Sequence, residues 1–191
     1  APATMNGYGY RCIITGTCAP AATSNCAQLT VNTPLNITTQ PANSTVCAGA
    51  NTTFSVAVTG TTPTYQWQES TNGGGTWNNI TNGGIYGGAT TNTLALTGVT
   101  AGMNSYQYRC IVTAAAACAS ANSGSATLTV NTAPAITTQP ATGVAVCAGQ
   151  VKTYSVAANG TALTYQWQES TNGGGTWTNI ANGGIYGGAT T

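Results

Sequence analysis

TYQWQESTNGGGTW at residues 64–77, followed by NGGIYGGATT at 82–91, returns one hundred residues later as TYQWQESTNGGGTW at 164–177 and NGGIYGGATT at 182–191. A chain that copies itself at a fixed period has to be read by that period first. In 64–70 the alternation puts Tyr65, Trp67 and Glu69 on one face and the glutamines on the other, the period of a half-buried strand. Trp67 is the natural centre of a core, and Trp167 takes that place in the second copy. Glu69, at the strand end, is expected to reach water. Asn72-Gly73-Gly74-Gly75 reads as a hairpin turn, because glycine supplies positive φ at low steric cost, and TWNNI at 76–80 as the return strand.

Outward from this stretch, residues 5–33 match 103–132, and residues 134–191 match 34–91. The expected organisation is the C-terminal strands of one repeat at 1–33, a complete domain at 34–133 and the N-terminal strands of a following repeat at 134–191, with VNTAP at 130–134 as linker. In the complete copy, strands are expected at 35–41, 44–49, 52–58, 64–70, 76–80, 92–99, 105–112 and 125–130, with 82–90 as a crossing segment. Phe54, Val56 and Val58 would share one face, as would Leu94 with Leu96, and Tyr106, Tyr108, Cys110 and Val112. Seven or eight short strands, glycine-rich turns and no helical period specify an all-β sandwich. Ala-rich 114–119 is too short for a helix of its own.

Composition narrows function. Only Arg11, Arg109, Lys152, Glu69 and Glu169 are ionised at neutral pH, and the chain has no Asp and no His. Three scattered cations cannot neutralise a phosphate backbone, so nucleic acid is excluded as a partner. No apolar run approaches the roughly twenty residues of a spanning helix. With no His base, no paired carboxylates and no glycine loop leading into a helix, no catalytic residue, cofactor site or enzyme activity is expected. Metal is disfavoured in the same way, since calcium needs clustered carboxylates and zinc close Cys/His sets. Seven cysteines in a Thr/Asn/Gly-rich chain without histidine favour disulfides, hence a compartment outside the cytosol. No leader is legible, which implies that one was removed or that this is an internal piece. Asn-x-Ser/Thr at Asn36, Asn43, Asn51, Asn79 and Asn159 is mostly a product of composition.

Trp67 with Tyr108-Arg109-Cys110, repeated as Tyr10-Arg11-Cys12, resembles the core tryptophan, corner tyrosine and second cysteine of the immunoglobulin fold. The resemblance implies that the Tyr108 hydroxyl bonds backbone at a turn. It departs at Val56, which stands where the first cysteine of the inter-sheet bridge is expected. More specifically, VCAG, FSV, TYQWQ, STNGG, YGGATT, LTGVT and YQYRC in this order resemble the immunoglobulin-like repeats of very large cell-surface adhesins of the Bacteroidota, exported by the type nine secretion system and including gliding-motility adhesins. That likeness covers nearly the whole chain and implies an extracellular, cell-surface stalk of many repeats.

The cysteine pairing stays open. Cys12–Cys18 and Cys110–Cys118 would staple the last hairpin; alternatively Cys12 and Cys110 are small buried apolar groups. Cys47 and Cys147 are free, pair with the core-strand cysteine of their own unit, or cross a junction or subunit contact. Cys26, standing near the place of Ser125, is the candidate for an irregular or intermolecular bridge. Glu69 and Arg109 are read as an ion pair between strands or as solubilising strand ends, with Arg109 also a candidate surface contact. Trp77 and Tyr86 are weighed as a sugar-binding platform against a place at the core edge. Three functions follow: a stalk of tandem repeats, a module binding polysaccharide or another surface, and a fibre in which copies complete one another. A window cut from a longer array would produce the same partial copies.

Overall fold

The computed structural model describes residues 1–114 and 119–190. The chain forms two compact units, Ala1–Val130 and Asn131–Thr191. It is all-β, and the described residues include 3₁₀ turns at Ala3–Met5 and Ala101–Met103.

The first segment is a folded-back hairpin of β1 (Gly9–Tyr10), β2 (Ile13–Ile14), β3 (Ala22–Thr23) and β4 (Ala27–Gln28), with β1 paired to β4 and β2 to β3. The complete copy follows as β5 (Asn36–Thr39), β6 (Ser44–Cys47), β7 (Thr52–Ser55), β8 (Ala57–Thr59), β9 (Thr64–Ser70), β10 (Asn78–Asn79), β11 (Tyr86–Gly87), β12 (Thr93–Leu96), β13 (Gln107–Thr113), β14 (Ala121–Asn122) and β15 (Ala126–Asn131). One sheet runs β10-β9-β13-β15-β6 with β14 beside β13; another runs β11-β12-β7; β5 and β8 pair separately.

Between the sheets lies one apolar cluster, with Phe54, Leu94, Leu96 and Val99 on one side and Trp67, Tyr108, Cys110, Val112 and Leu128 on the other. Each large apolar side chain withdrawn from water stabilises the fold by roughly 1.5–3 kcal/mol. Trp67 is fully buried, and its indole N–H donates to the Thr91 carbonyl at 2.9 Å. The expected inward face of β13 is observed at Tyr108, Cys110 and Val112, all buried, while Tyr106 is half-buried.

Two expectations on the strands need correction. Residues 52–58 are not one strand. The chain pairs with β12 through Ser55, passes Val56, whose N–H donates to the Asn92 carbonyl at 2.9 Å, and then pairs with β5 from Ala57. The alternation survives this change of partner, which is why the face of Phe54 and Val56 is legible and the break is not. In addition, 82–90 contributes a short strand, β11, on β12.

The NGGG turn is built by side chains. The Gly74 N–H donates to Ser70 Oγ at 2.9 Å, that hydroxyl donates to Asn72 Oδ1 at 2.9 Å, and the same Oδ1 accepts the Thr76 N–H at 2.9 Å. Gly74 at φ 92° supplies the backbone form the turn requires. The cradle recurs in the second copy at Ser170, Asn172, Gly174 and Thr176.

The last segment forms β16 (Ala135–Thr138), β17 (Ala157–Asn159), β18 (Gln168–Glu169) and β19 (Thr178–Asn179). The β16–β17 and β18–β19 ladders repeat the register of β5–β8 and β9–β10, and the Gly183–Tyr186 bridge repeats Gly83–Tyr86. Residues 144–147 and 152–155 form no strand, although their counterparts are β6 and β7. A strand exists only with a partner for its backbone groups. β6 pairs with β15 and β7 with β12, and no strand among residues 134–190 pairs with 144–147 or 152–155.

Candidate functional site

Two clusters gather the polar and aromatic side chains singled out by sequence. The first lies at the core edge. β9 carries Glu69 on the same face as Trp67, β13 brings Tyr108 opposite it, and β11 supplies Tyr86. The Tyr86 hydroxyl donates to Glu69 Oε2 at 2.5 Å and lies 3.4 Å from the Tyr108 hydroxyl, while Phe54 stacks on Tyr108 with centroids 4.8 Å apart. Glu69 is therefore half-buried, its carboxylate tied into an aromatic corner at the strand end. Tyr108 also differs from the corner-tyrosine expectation: its hydroxyl meets another phenol, because β11 passes close enough to present one.

The second cluster is on the opposite face. Arg109 is paired in register with Gln68, not Glu69, and its Nε donates to Gln68 Oε1 at 2.8 Å. Its guanidinium stands 4.2 Å from the Trp77 ring centroid, a cation–π contact, and the Trp77 indole N–H donates to the Gly74 carbonyl at 3.1 Å. The expected Glu69–Arg109 ion pair is thus not formed, since the period of two sends the charges to opposite faces. Trp77 and Tyr86 do not share a surface platform: one ring face of Trp77 is covered by Arg109, and Tyr86 points to Glu69.

Burial raises the pKa of the Cys110 thiol from 9.0 to about 11 and of the Tyr108 phenol from 10.0 to about 12. The Tyr86 phenol is also raised, by burial first and then by its bond to Glu69. At neutral pH Cys110 is a neutral thiol buried without a base, which makes it an inert packing group and not a nucleophile. These folded-state values lie above the unfolded ones, so the stabilisation they carry is whole below about pH 9. It is lost between pH 9 and 11 for the thiol and between 10 and 12 for the Tyr108 phenol, the thiol share being about 3 kcal/mol. The thermal midpoint should be flat to about pH 9 and fall above it, and Cys110→Ala should remove the lower part of that fall.

Cys12, Cys18, Cys26, Cys47 and Cys147 are free and exposed, and Cys110 is free and buried. The Cys12–Cys18 bridge is not formed in this structure, and Cys118 lies outside the described residues, as does any pairing with it. Cys110 occupies the place of a small buried apolar group, and Cys12 does not. Cys26 stands against Gly9, its Sγ 2.7 Å from where a Cβ at position 9 would lie. Cys47 and Cys147 each open a tight turn, their carbonyls accepting from Ala50 and Gln150. Among the described residues no three Cys, Asp or Glu side chains gather as a metal-binding group, and no helix is long and apolar enough to cross a membrane.

Sequence reasoning missed Ser70 and the junction threonines. Ser70 is fully buried at the end of β9 and organises the NGGG turn. Thr33 donates its N–H to Thr61 Oγ1 at 2.8 Å, and Thr132 does the same to Thr161 Oγ1 at 2.9 Å, so each copy clasps its own leading linker. The recurrence of Asn-Thr before each copy was the available signal.

The two-sheet antiparallel sandwich of the complete copy has an immunoglobulin-like fold. Its fold is similar to that of the I-band fragment I67–I69 from titin, at 22% identity and a TM-score of 0.60 over 78% of this chain and 49% of that one. An E-to-A variant of titin I67–I69 matches at 22% identity and 0.60, over 79% and 50%. Sidekick-1 immunoglobulin domains 1–5 match at 19% identity and 0.50, over 87% and 36%. The chain spans about half the length of the titin fragments it matches. Residues 36–132 match a domain of unknown function, DUF8696, and the chain belongs to that family. No curated protein matches it.

Proposed function

We propose that this chain is a non-catalytic spacer region of an extracellular adhesin or surface filament, of the large Bacteroidota kind its repeats resemble. Its parts are then the tail of one immunoglobulin-like repeat at 1–33, a whole repeat at 34–133 and the head of another at 134–191. One observation carries this reading: the same clasp of linker threonine to Thr61 or Thr161 opens both copies. A clasp of that kind makes each junction part of the domain that follows it, which is what a spacer of regular step needs. The chemistry of the two clusters agrees. A carboxylate tied to a phenol, a buried neutral thiol and an arginine stacked on Trp77 are all used in packing.

A glycan-array screen of the folded chain, with its thermal transition recorded alongside, tests the spacer against a polysaccharide-binding module. The expected result is a cooperative transition with no glycan bound. Glycan binding that disappears in Trp77→Ala while the transition persists would overturn it.

A further inference from the structure

We propose that Asn72, with Asn172 in the second copy, is a site of self-modification: the Gly73 amide nitrogen attacks the Asn72 side chain, ammonia leaves, and the turn acquires a carboxylate. The proposal stands on the NGGG turn alone and goes beyond the spacer reading without resting on it.

The complete copy holds two Asn-Gly pairs, Asn72-Gly73 and Asn82-Gly83. Glycine after asparagine leaves the backbone nitrogen open to approach, since no Cβ stands beside it. By sequence the two pairs are equivalent, and the fold separates them at the nucleophile. The Gly83 N–H donates to the Tyr86 carbonyl at 2.9 Å, so attack there first breaks a backbone hydrogen bond. Among the described residues the Gly73 N–H has no acceptor, and a Cβ at Gly73 would meet nothing within 4 Å. Asn72 and Gly73 are both exposed.

The electrophile is prepared as well. Asn72 Oδ1 accepts from the Ser70 hydroxyl at 2.9 Å and from the Thr76 N–H at 2.9 Å. Attack at Cγ moves negative charge onto that oxygen, so both bonds strengthen as the tetrahedral intermediate forms, and neither has to break. Nδ2, the departing group, donates to Thr76 Oγ1 at 3.0 Å. Gly75 leaves room beside the amide: a Cβ there would already lie 3.2 Å from Nδ2 and 3.3 Å from Cγ. Asn172 repeats the arrangement, with the Ser170 hydroxyl and the Thr176 N–H each 2.9 Å from its Oδ1 and its Nδ2 3.0 Å from Thr176 Oγ1. The contrast repeats too, since the Gly183 N–H is held by the Tyr186 carbonyl at 2.9 Å.

In the step, hydroxide takes the Gly73 amide proton and the bond from that nitrogen to Cγ forms. The Cγ–Nδ2 bond breaks as water returns a proton, ammonia leaves, and a succinimide closes. Water then opens the ring at either carbonyl, giving aspartate, or isoaspartate with an added methylene in the backbone. The sum is water in and ammonia out, with no oxidant or partner. The chain has no His to serve as base, so the rate should follow hydroxide. Aspartate fits the cradle, because both acceptor bonds survive and the Thr76 hydroxyl is freed to donate to the carboxylate. In a chain with five ionised side chains, each conversion adds an anion at a fixed place in the repeat. The surface thus gains periodic negative charge with age.

The folded chain is incubated at neutral and alkaline pH, digested with chymotrypsin and read by tandem mass spectrometry, where each event exchanges an NH for an O. Cleavage after Trp77 separates the two asparagines, and peptides 68–77 and 168–177 are identical, so Asn72 and Asn172 report together. In the folded chain Asn72 should convert faster than Asn82 by ~tenfold or more, as the free energy of one backbone hydrogen bond requires. In urea the two rates should meet. Ser70→Ala should slow Asn72 by ~fivefold, less than the loss of an oxyanion donor from a closed site. Peptide 168–177 keeps its serine in that variant and serves as the reference within the same molecule, and Ser170→Ala reverses the comparison. Equal rates at Asn72 and Asn82 in the folded chain, or a tenfold difference that persists in urea, would overturn the proposal. So would a faster Asn72 in Ser70→Ala with the thermal transition intact. Where Ser70→Ala does not fold, the parent chain with and without urea decides.

Discussion

Trp67→Ala is expected to cost the complete domain about 3–5 kcal/mol, a large part of the 5–15 kcal/mol by which such a domain is stable. The side chain is fully buried between the sheets, flanked by Phe54, Leu94 and Cys110 in the same cluster, and its indole N–H holds the Thr91 carbonyl. Its removal opens a cavity that a two-sheet core cannot collapse around, and it leaves a carbonyl without its donor. Trp177→Ala is the control of the same chemistry. That side chain is 60% exposed, and its loss should change stability by no more than about 0.5 kcal/mol. Urea unfolding followed by circular dichroism separates the two, since the midpoint should fall steeply in the first variant alone.

Gly88→Ala is the second large effect, and it acts through backbone alone. Gly88 sits at φ 73°, and a Cβ there would lie 2.2 Å from the Thr93 carbonyl oxygen and 3.0 Å from Thr91 Oγ1. The left-handed form costs an alanine about 1–2 kcal/mol, and the clash adds to it by forcing the start of β12 away from Tyr86–Gly87. A loss of more than about 3 kcal/mol is expected, with β12 the strand displaced. Gly73→Ala isolates the conformational part: φ is 68° and nothing lies within 4 Å, so about 1 kcal/mol should be lost. Equal midpoints for the two alanine variants would show that the Thr93 carbonyl yields freely.

The sandwich was legible because its signals are local and periodic. Trp67, Phe54 and Cys110 each lie in an alternating run, and alternation alone assigns them inward. What stayed hidden depends on contacts between segments far apart in sequence. Glu69 looked like a solvated strand end because nothing in 64–70 shows that Tyr86 will arrive over it. Arg109 looked like its ionic partner because opposite charges in neighbouring strands suggest pairing; register decides otherwise, and register is not written in either strand. Val56 marks a change of sheet that alternation cannot reveal, since the side chain points inward on both sides of the break. Ser70 was passed over because a small polar residue at a strand end is ordinarily solvated. Here its hydroxyl replaces backbone partners inside the turn, a role that Ser-Thr-Asn-Gly-Gly signals by its residue types.

Neighbouring domains of nearly the same sequence carry a hazard, since a strand of one fits the sheet of the next and chains exchange them while folding. The Ser70 and Ser170 cradles and the Thr61 and Thr161 clasps bear on that hazard through timing. All are closed by residues within one copy or its own linker. Each repeat can therefore fix its register as it emerges, before the next nearly identical sequence is present to compete for the same edge. Such hydroxyl and amide contacts let a chain with only five ionised side chains keep its copies apart during folding without using charge to distinguish them.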